Sequence, residues 1–217
     1  YATLVRSLEG AEAVIHLAVE AAGSADDVTV HNGNVTGSYN VLRAAAEHGI
    51  RRVCMGSSVN AIGLSYSRRP RFQYFPVDEQ HATFNEDPYG LSKWIGEVQA
   101  TSMARRHEEM TICSLRLHWL VSDREVAAKA FSRRLARGAW ELWGYTLFTS
   151  AVRACLRSLE VEFKGHEIFN VVAPDTAVEV PSAVLARQFY PGVPVRGAFT
   201  GNQSFFTSAK AARLLGC

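Results

Sequence analysis

The sequence lacks the marks of several large protein classes. Its four cysteines, Cys54, Cys113, Cys155 and Cys217, stand far apart with no CxxC pair, which excludes a zinc knuckle and a disulfide framework and fits a reducing, cytoplasmic setting. Cys54 and Cys113 fall inside apolar, strand-like runs, where cysteine serves as a small buried hydrophobe. No apolar run reaches the roughly 18 residues of a membrane span, and the opening YATLVRSLEG is neither a basic leader nor an apolar signal core. A net charge of +2 with scattered Lys and Arg indicates neither a nucleic-acid surface nor a membrane-attracting patch. The seven histidines form no ligand set, so no metal is expected. There is no internal repeat and no low-complexity tract.

What is present is an ordinary globular composition. The 217 residues are 47% hydrophobic and 20% charged, enough for one core and a small appended lobe. AVIHLA (13–18) has the unbroken apolar character of a strand buried on both faces. Val35 to His48 carries Val41, Leu42, Ala44, Ala45 and Ala46 at helical spacing, with Gly49 as a stop. RRVCMGSS (51–58) is a second buried strand. Residues 63–86 form a long polar and aromatic stretch without a period, and loops of that length in compact domains are usually functional.

Asp87-Pro88 then supplies an acidic N-cap and a first-turn proline for a helix reaching about His107. Residues 111–121 return to a strand pattern. Strand, helix, strand, helix, strand in this order predicts a parallel sheet with crossover helices. Beyond Ser122 the pattern predicts helices over 124–138, 149–159, 182–189 and 208–216, with a strand at EIFNVVAP.

The chemistry-bearing residues gather at two points. Tyr89 and Lys93 are four apart in YGLSK near the start of a helix, so they share one face about a turn apart. A lysine ammonium beside a phenol favours the phenolate and makes it a usable proton exchanger near neutral pH. Ser57 and Ser58 stand at the C-terminal end of a predicted strand, the edge at which parallel sheets present ligands. A hydroxyl there can hold a substrate oxygen while Tyr89 exchanges its proton. Glu97, one turn after Lys93, reads as a surface helix partner. Trp140, Trp143, Tyr145 and Phe148 read as packing of the C-terminal lobe rather than as a sugar platform.

With these motifs in order, the chain resembles the extended short-chain dehydrogenases, the family of NAD-dependent epimerases and dehydratases. AVIHLA is similar to its fourth strand, Asn34 in NVTGSYNVLRAA to the asparagine that helps organise the site, GSSVNAIG to its strand-end serine motif, and DPYGLSKWIGE to its tyrosine–lysine helix. The resemblance covers residues 1 to about 122 and implies a Rossmann-like, doubly wound α/β sheet. It divides the chain into a partial dinucleotide-binding domain (1–122) and an interleaved C-terminal substrate lobe (123–217).

The same resemblance implies NAD or NADP as cofactor and a small sugar-like or sugar-acid substrate, handled by hydride transfer. Tyr89 would be general acid/base, Lys93 its partner and ribose anchor, and Ser58 the donor to the substrate oxygen. Leu17, Ala18, Asn34, Ser57 and His118 would line the cofactor, and Asn60 and Arg124 the substrate. Uronate dehydrogenases are the nearest subgroup, although Val59-Asn60 stands where they carry Asn-His. Family members often form homodimers.

The family also opens on a strand and a Gly-rich turn that seats a pyrophosphate on a helix N-terminus. This chain has neither, so the resemblance implies a sheet lacking its first strands, an unpaired edge and weak dinucleotide binding. A non-catalytic dinucleotide sensor or interaction protein of the same fold is the rival reading. Retention of Ser58, Tyr89 and Lys93 together favours the enzyme.

Overall fold

A computed structural model describes all residues 1–217. After a short helix, α1 (Ala2–Ser7), the chain lays down β1 (Ala13–His16), α2 (Asp27–Glu47), β2 (Arg52–Ser58), α3 (Pro88–Arg106) and β3 (Thr111–Leu117). The second half adds β4 (Leu120–Val121), α4 (Arg124–Ser132), α5 (Leu135–Gly138), β5 (Thr146–Leu147), α6 (Phe148–Ser158), β6 (Gly165–Val171), α7 (Ser182–Phe189) and α8 (Ala209–Leu215). Strands β1, β2, β3 and β6 form one parallel sheet in that order, and β4 and β5 form a second small parallel pair.

Side-chain alternation along the strands divides the main core in two. Val53, Met55 and Ile112 pack with Leu42, Ala45, Ala100 and Met103 of α2 and α3. Cys54, Cys113 and Leu115 pack on the other face with Ala154 and Cys155 of α6 and Ala211 and Leu215 of α8. Helices therefore cover both faces, as a doubly wound sheet requires. The third and largest cluster joins Val59, Ile62, Phe72 and Phe75 to Trp143, Leu185, Phe205 and Phe206. The long 63–86 stretch contains no helix or strand beyond single bridges, and its aromatics belong to the core of the C-terminal half.

Several boundaries differ from expectation for identifiable reasons. Helix α2 begins eight residues before Val35 because the Asp26 carboxylate accepts from the Val28 and Thr29 amides and caps it there. The 111–121 run breaks after Leu117, where the His118 amide donates to the Thr146 hydroxyl (2.9 Å) instead of to a strand. The 124–138 helix divides in two at Arg133–Arg134, where Arg134 leaves helical dihedrals (φ −146°). β1 is not buried on both faces. It pairs only with β2, and Ile15 and the following Leu17 are 39% and 52% exposed. The strand predicted at EIFNVVAP is a full member of the main sheet, paired to β3 along its length.

Candidate active site

The C-terminal ends of β1, β2 and β3 open onto a cleft of about 920 Å³, within the range of small-molecule and cofactor sites. One wall is polar. Ser58 closes β2 with extended dihedrals and caps a short 3-10 turn, Val59–Ile62, its hydroxyl accepting from the Asn60 amide at 3.1 Å. Gly63 ends that turn in the left-handed region (φ 93°), where a Cβ would stand 2.7 Å from the Phe84 carbonyl. The turn brings the start of α3 against the end of β2. Asp87 caps α3 by accepting from the Gly90 amide at 2.6 Å, and Gly90 runs so close to the turn that a Cβ would lie 2.5 Å from the Asn60 carbonyl oxygen.

This packing sets Tyr89, Lys93 and Ser58 on one wall of the cleft. The Lys93 ammonium donates to the Gly56 carbonyl at 2.6 Å and lies 5.7 Å from the centre of the Tyr89 ring. Burial brings the lysine pKa down to about 8, against the opposing pull of the Glu97 carboxylate. Burial raises the Tyr89 phenol, and the nearby Ser58 hydroxyl works in the opposite direction. Ser58 thus favours the ionised phenol, while Lys93, expected to do the same, is held by a backbone carbonyl within reach of the ring. Tyr66, which the sequence did not single out, stands edge-on to Tyr89 with ring centres 5.7 Å apart.

His118 lines the cleft at the end of β3. It donates from Nε2 to the Glu141 carbonyl and accepts from the Trp119 amide at Nδ1, and burial lowers its pKa to about 4. It is a neutral wall residue with both ring nitrogens occupied. Leu17 lines the cleft beside Gly56, whereas Ala18 is not among the lining residues. Asn34 sits behind the site: it accepts from the Glu20 amide (2.8 Å) and donates to the Glu20 carbonyl and the Ser92 hydroxyl, so it fastens the segment after β1 to α3.

Of the two residues expected on the substrate, Asn60 lines the cleft and Arg124 does not. The Asn60 side-chain amide donates to Ser58 Oγ at 3.3 Å while its oxygen accepts from the Ser65 amide at 3.0 Å, so it orients the serine. Arg124 is outside the cleft lining, its guanidinium bound to Asp175 (2.7 Å) and Glu179 (2.8 Å).

The largest departure is Glu97. It is 3% exposed and buried, not on the surface, and it accepts from the Ser57 hydroxyl at 2.6 Å. It also forms a two-point ion pair with Arg116 at 2.8 and 2.7 Å. The one available sequence signal was its i+4 spacing from Lys93, which places both on the sheet-facing side of α3.

The residues present suit the nicotinamide and ribose end of a dinucleotide. Hydroxyl and ammonium donors (Ser58, Tyr89, Lys93) line the cleft together with the apolar side chains of Leu17, Val19, Val152 and Leu156. The sequence holds no glycine-rich turn that would cradle a pyrophosphate. No group of His, Cys, Asp or Glu is arranged to hold a metal ion, and no helix is long and apolar enough to cross a membrane.

Comparison with known proteins gives a consistent picture. The model of the NAD dependent epimerase/dehydratase family matches residues 2–171. An L-arabinose 1-dehydrogenase (NAD(P)(+)) of Haloferax volcanii is 29% identical over 134 residues, 58% of this chain and 52% of that protein. Human 3 beta-hydroxysteroid dehydrogenase type 7 is 28% identical over 62% of this chain and 38% of its own length. The chain thus spans about half or less of these relatives. A short-chain dehydrogenase/reductase superfamily protein from Agrobacterium tumefaciens, solved with bound NAD, superposes with a TM-score of 0.68 over 99% of this chain and 76% of the other, at 20% identity.

Proposed function

Because this chain belongs to the NAD-dependent epimerase/dehydratase family, we propose that it carries the catalytic wall of an oxidoreductase or epimerase that interconverts an alcohol and a ketone on a sugar or sugar-acid-like substrate. The observation that carries this reading is the convergence of Ser58, Tyr89 and Lys93 on one wall at the C-terminal edge of a parallel sheet. When bound, NAD or NADP supplies a hydride acceptor or donor. Everything else falls to the protein's own groups.

In the oxidative direction Tyr89 Oη takes the proton of the substrate hydroxyl, and in the reductive direction returns it. Ser58 Oγ, oriented by Asn60, donates to the same substrate oxygen and favours the charge that develops there. Lys93 Nζ, already held at the strand end by Gly56, presents its remaining protons to the ribose hydroxyls and adds positive charge beside the phenol. Leu17 and the backbone near His118 bound the nicotinamide side. A carboxylate on the substrate is not met by Arg124, whose charge is spent on Asp175 and Glu179.

A second substrate class has its own support. Trp119, Leu120, Phe131 and Phe148 make much of the cleft apolar, which favours an alcohol on a hydrophobic ring system. Absorbance at 340 nm with NAD⁺ or NADP⁺ and a panel of sugars, uronates, sugar nucleotides and ring alcohols tests both. At dinucleotide concentrations high enough to offset weak binding, the expected result is substrate-dependent reduction that Tyr89→Phe lowers by at least about a hundredfold. Unchanged turnover in Tyr89→Phe would remove Tyr89 from the chemistry.

A further inference from the structure

The face of α3 that meets the sheet is lined by small and apolar residues, Ala100, Met103 and Ala104, until it reaches Glu97. There a carboxylate and a guanidinium, 3% and 4% exposed, lie fully inside the protein. A buried ion pair seldom adds stability over a well-packed apolar pair, because removing two charges from water offsets their attraction. Its presence calls for another reason, and the geometry supplies one.

Arg116 on β3 is the register partner of Ser57 on β2. Glu97 binds both, accepting from Ser57 Oγ at 2.6 Å and from Arg116 Nε and Nη2 at 2.8 and 2.7 Å. One turn earlier on the same helix, Lys93 donates to the carbonyl of Gly56 at 2.6 Å. Helix α3 is thus pinned to two successive residues of β2, immediately before Ser58. These pins fix the distance between the strand that carries Ser58 and the helix that carries Tyr89.

We propose that Glu97, locked by Arg116, is a positioning residue of the catalytic set: it fixes the end of β2 against α3 and serves as the buried counter-charge of the Lys93 ammonium. This rests on the functional reading of Ser58, Tyr89 and Lys93 above. The groups that face the pair are few. Tyr89 shares α3 with Lys93 and Glu97, and His16 of β1 feels the Lys93 charge. His166 of β6 and His81 of the 63–86 segment feel Arg116, and burial holds both below the ordinary histidine range. Glu97 is the group that favours the charged form of Lys93.

Glu97→Gln keeps the shape and removes the charge, but leaves Arg116 buried and unpaired. Glu97→Gln/Arg116→Met removes both charges and guards against loss of fold. Lys93 is one of only four lysines, so its side-chain ammonium can be followed by NMR titration without substrate or dinucleotide. The expected result is that its midpoint falls in Glu97→Gln, where the carboxylate that favours the charged form is lost, and moves less in the double variant, where the Arg116 charge is lost as well. In the active protein kcat should fall at least tenfold with its pH profile displaced the same way, and Glu97→Asp should recover part of both.

A folded Glu97→Gln with the Lys93 midpoint unmoved, or a folded double variant with kcat unchanged, would overturn the proposal. So would loss of fold in both variants, which would assign the pair to stability alone. Absence of hydride transfer in the parent protein counts against the functional reading and not against the Lys93 titration. An unmoved midpoint in an active protein counts against Glu97 alone.

Discussion

Lys93→Met should make the protein more stable at neutral pH while removing its activity, and the gain should disappear in alkali. Burial takes the Lys93 pKa from 10.5 to about 8, so the folded state disfavours the charged form. At about 1.4 kcal/mol per pH unit that difference corresponds to about 3 kcal/mol. Below about pH 8 the ammonium is charged both folded and unfolded, and the whole cost of burying it is present. Between about 8 and 10.5 the unfolded chain binds the proton that the folded chain has lost, so stability rises with pH. Above 10.5 the cost has gone.

Methionine carries no such cost, but it leaves the Gly56 carbonyl, which Lys93 holds at 2.6 Å, without its donor, a loss of about 1–2 kcal/mol. Lys93→Met should therefore be about 1–2 kcal/mol more stable than the parent at pH 7 and about 1–2 kcal/mol less stable near pH 10.5. Urea denaturation of both proteins across that range reads the difference directly, and other titrating groups cancel in the subtraction. A variant less stable than the parent at pH 7, or a difference that does not change with pH, would refute the reasoning.

Two further substitutions separate packing from function. Gly90→Ala should gain about 1 kcal/mol from helix propensity, yet its Cβ would meet the Asn60 carbonyl at 2.5 Å and the Asp87 carboxylate at 2.7 Å. Because a backbone oxygen cannot swing aside, the overpacking cost of about 1–3 kcal/mol should exceed the gain, and a thermal midpoint equal to or above the parent's would contradict this. Arg124→Ala breaks two partly exposed ion pairs, worth about 0–1 kcal/mol each, and should leave kcat/KM for an anionic substrate within about twofold. A KM rise of tenfold or more would return Arg124 to the substrate.

The elements that carry the site were legible because local rules govern them. An Asp-Pro entry fixed the start of α3 at Pro88, and an apolar run bounded by polar turns marked β2 and β3. The shared wall of Tyr89 and Lys93 followed from i,i+4 spacing. Other features depend on chain segments distant in sequence. Glu97 looks like any solvated helix glutamate until Arg116, nineteen residues on, is paired across from Ser57. The exposure of Ile15 and Leu17 depends on what lies beside β1, which an apolar run cannot report. His118 falls in a strand-like sequence but leaves the ladder because Thr146 takes its amide.

The same distinction bears on how the cleft works. Its Ser58, Tyr89 and Lys93 donors come from β2 and α3, elements tied together by Lys93, Glu97 and the Val59–Ile62 turn. The facing wall, from the segment after β1 and from α6, is apolar and comparatively exposed, with Phe148, Val152 and Leu156 each more than half exposed. A ligand seated between them would be held in register by the first wall and shielded from water by the other. Shielding strengthens the interaction between the Lys93 charge and an oxyanion at Tyr89, because Coulomb energies grow as the local dielectric falls. Polar substitution on α6, such as Val152→Ser, should accordingly weaken catalysis without touching a proton-transfer group. It would do so by admitting water beside the phenol, whereas an equal change on the outer face of α3 would not.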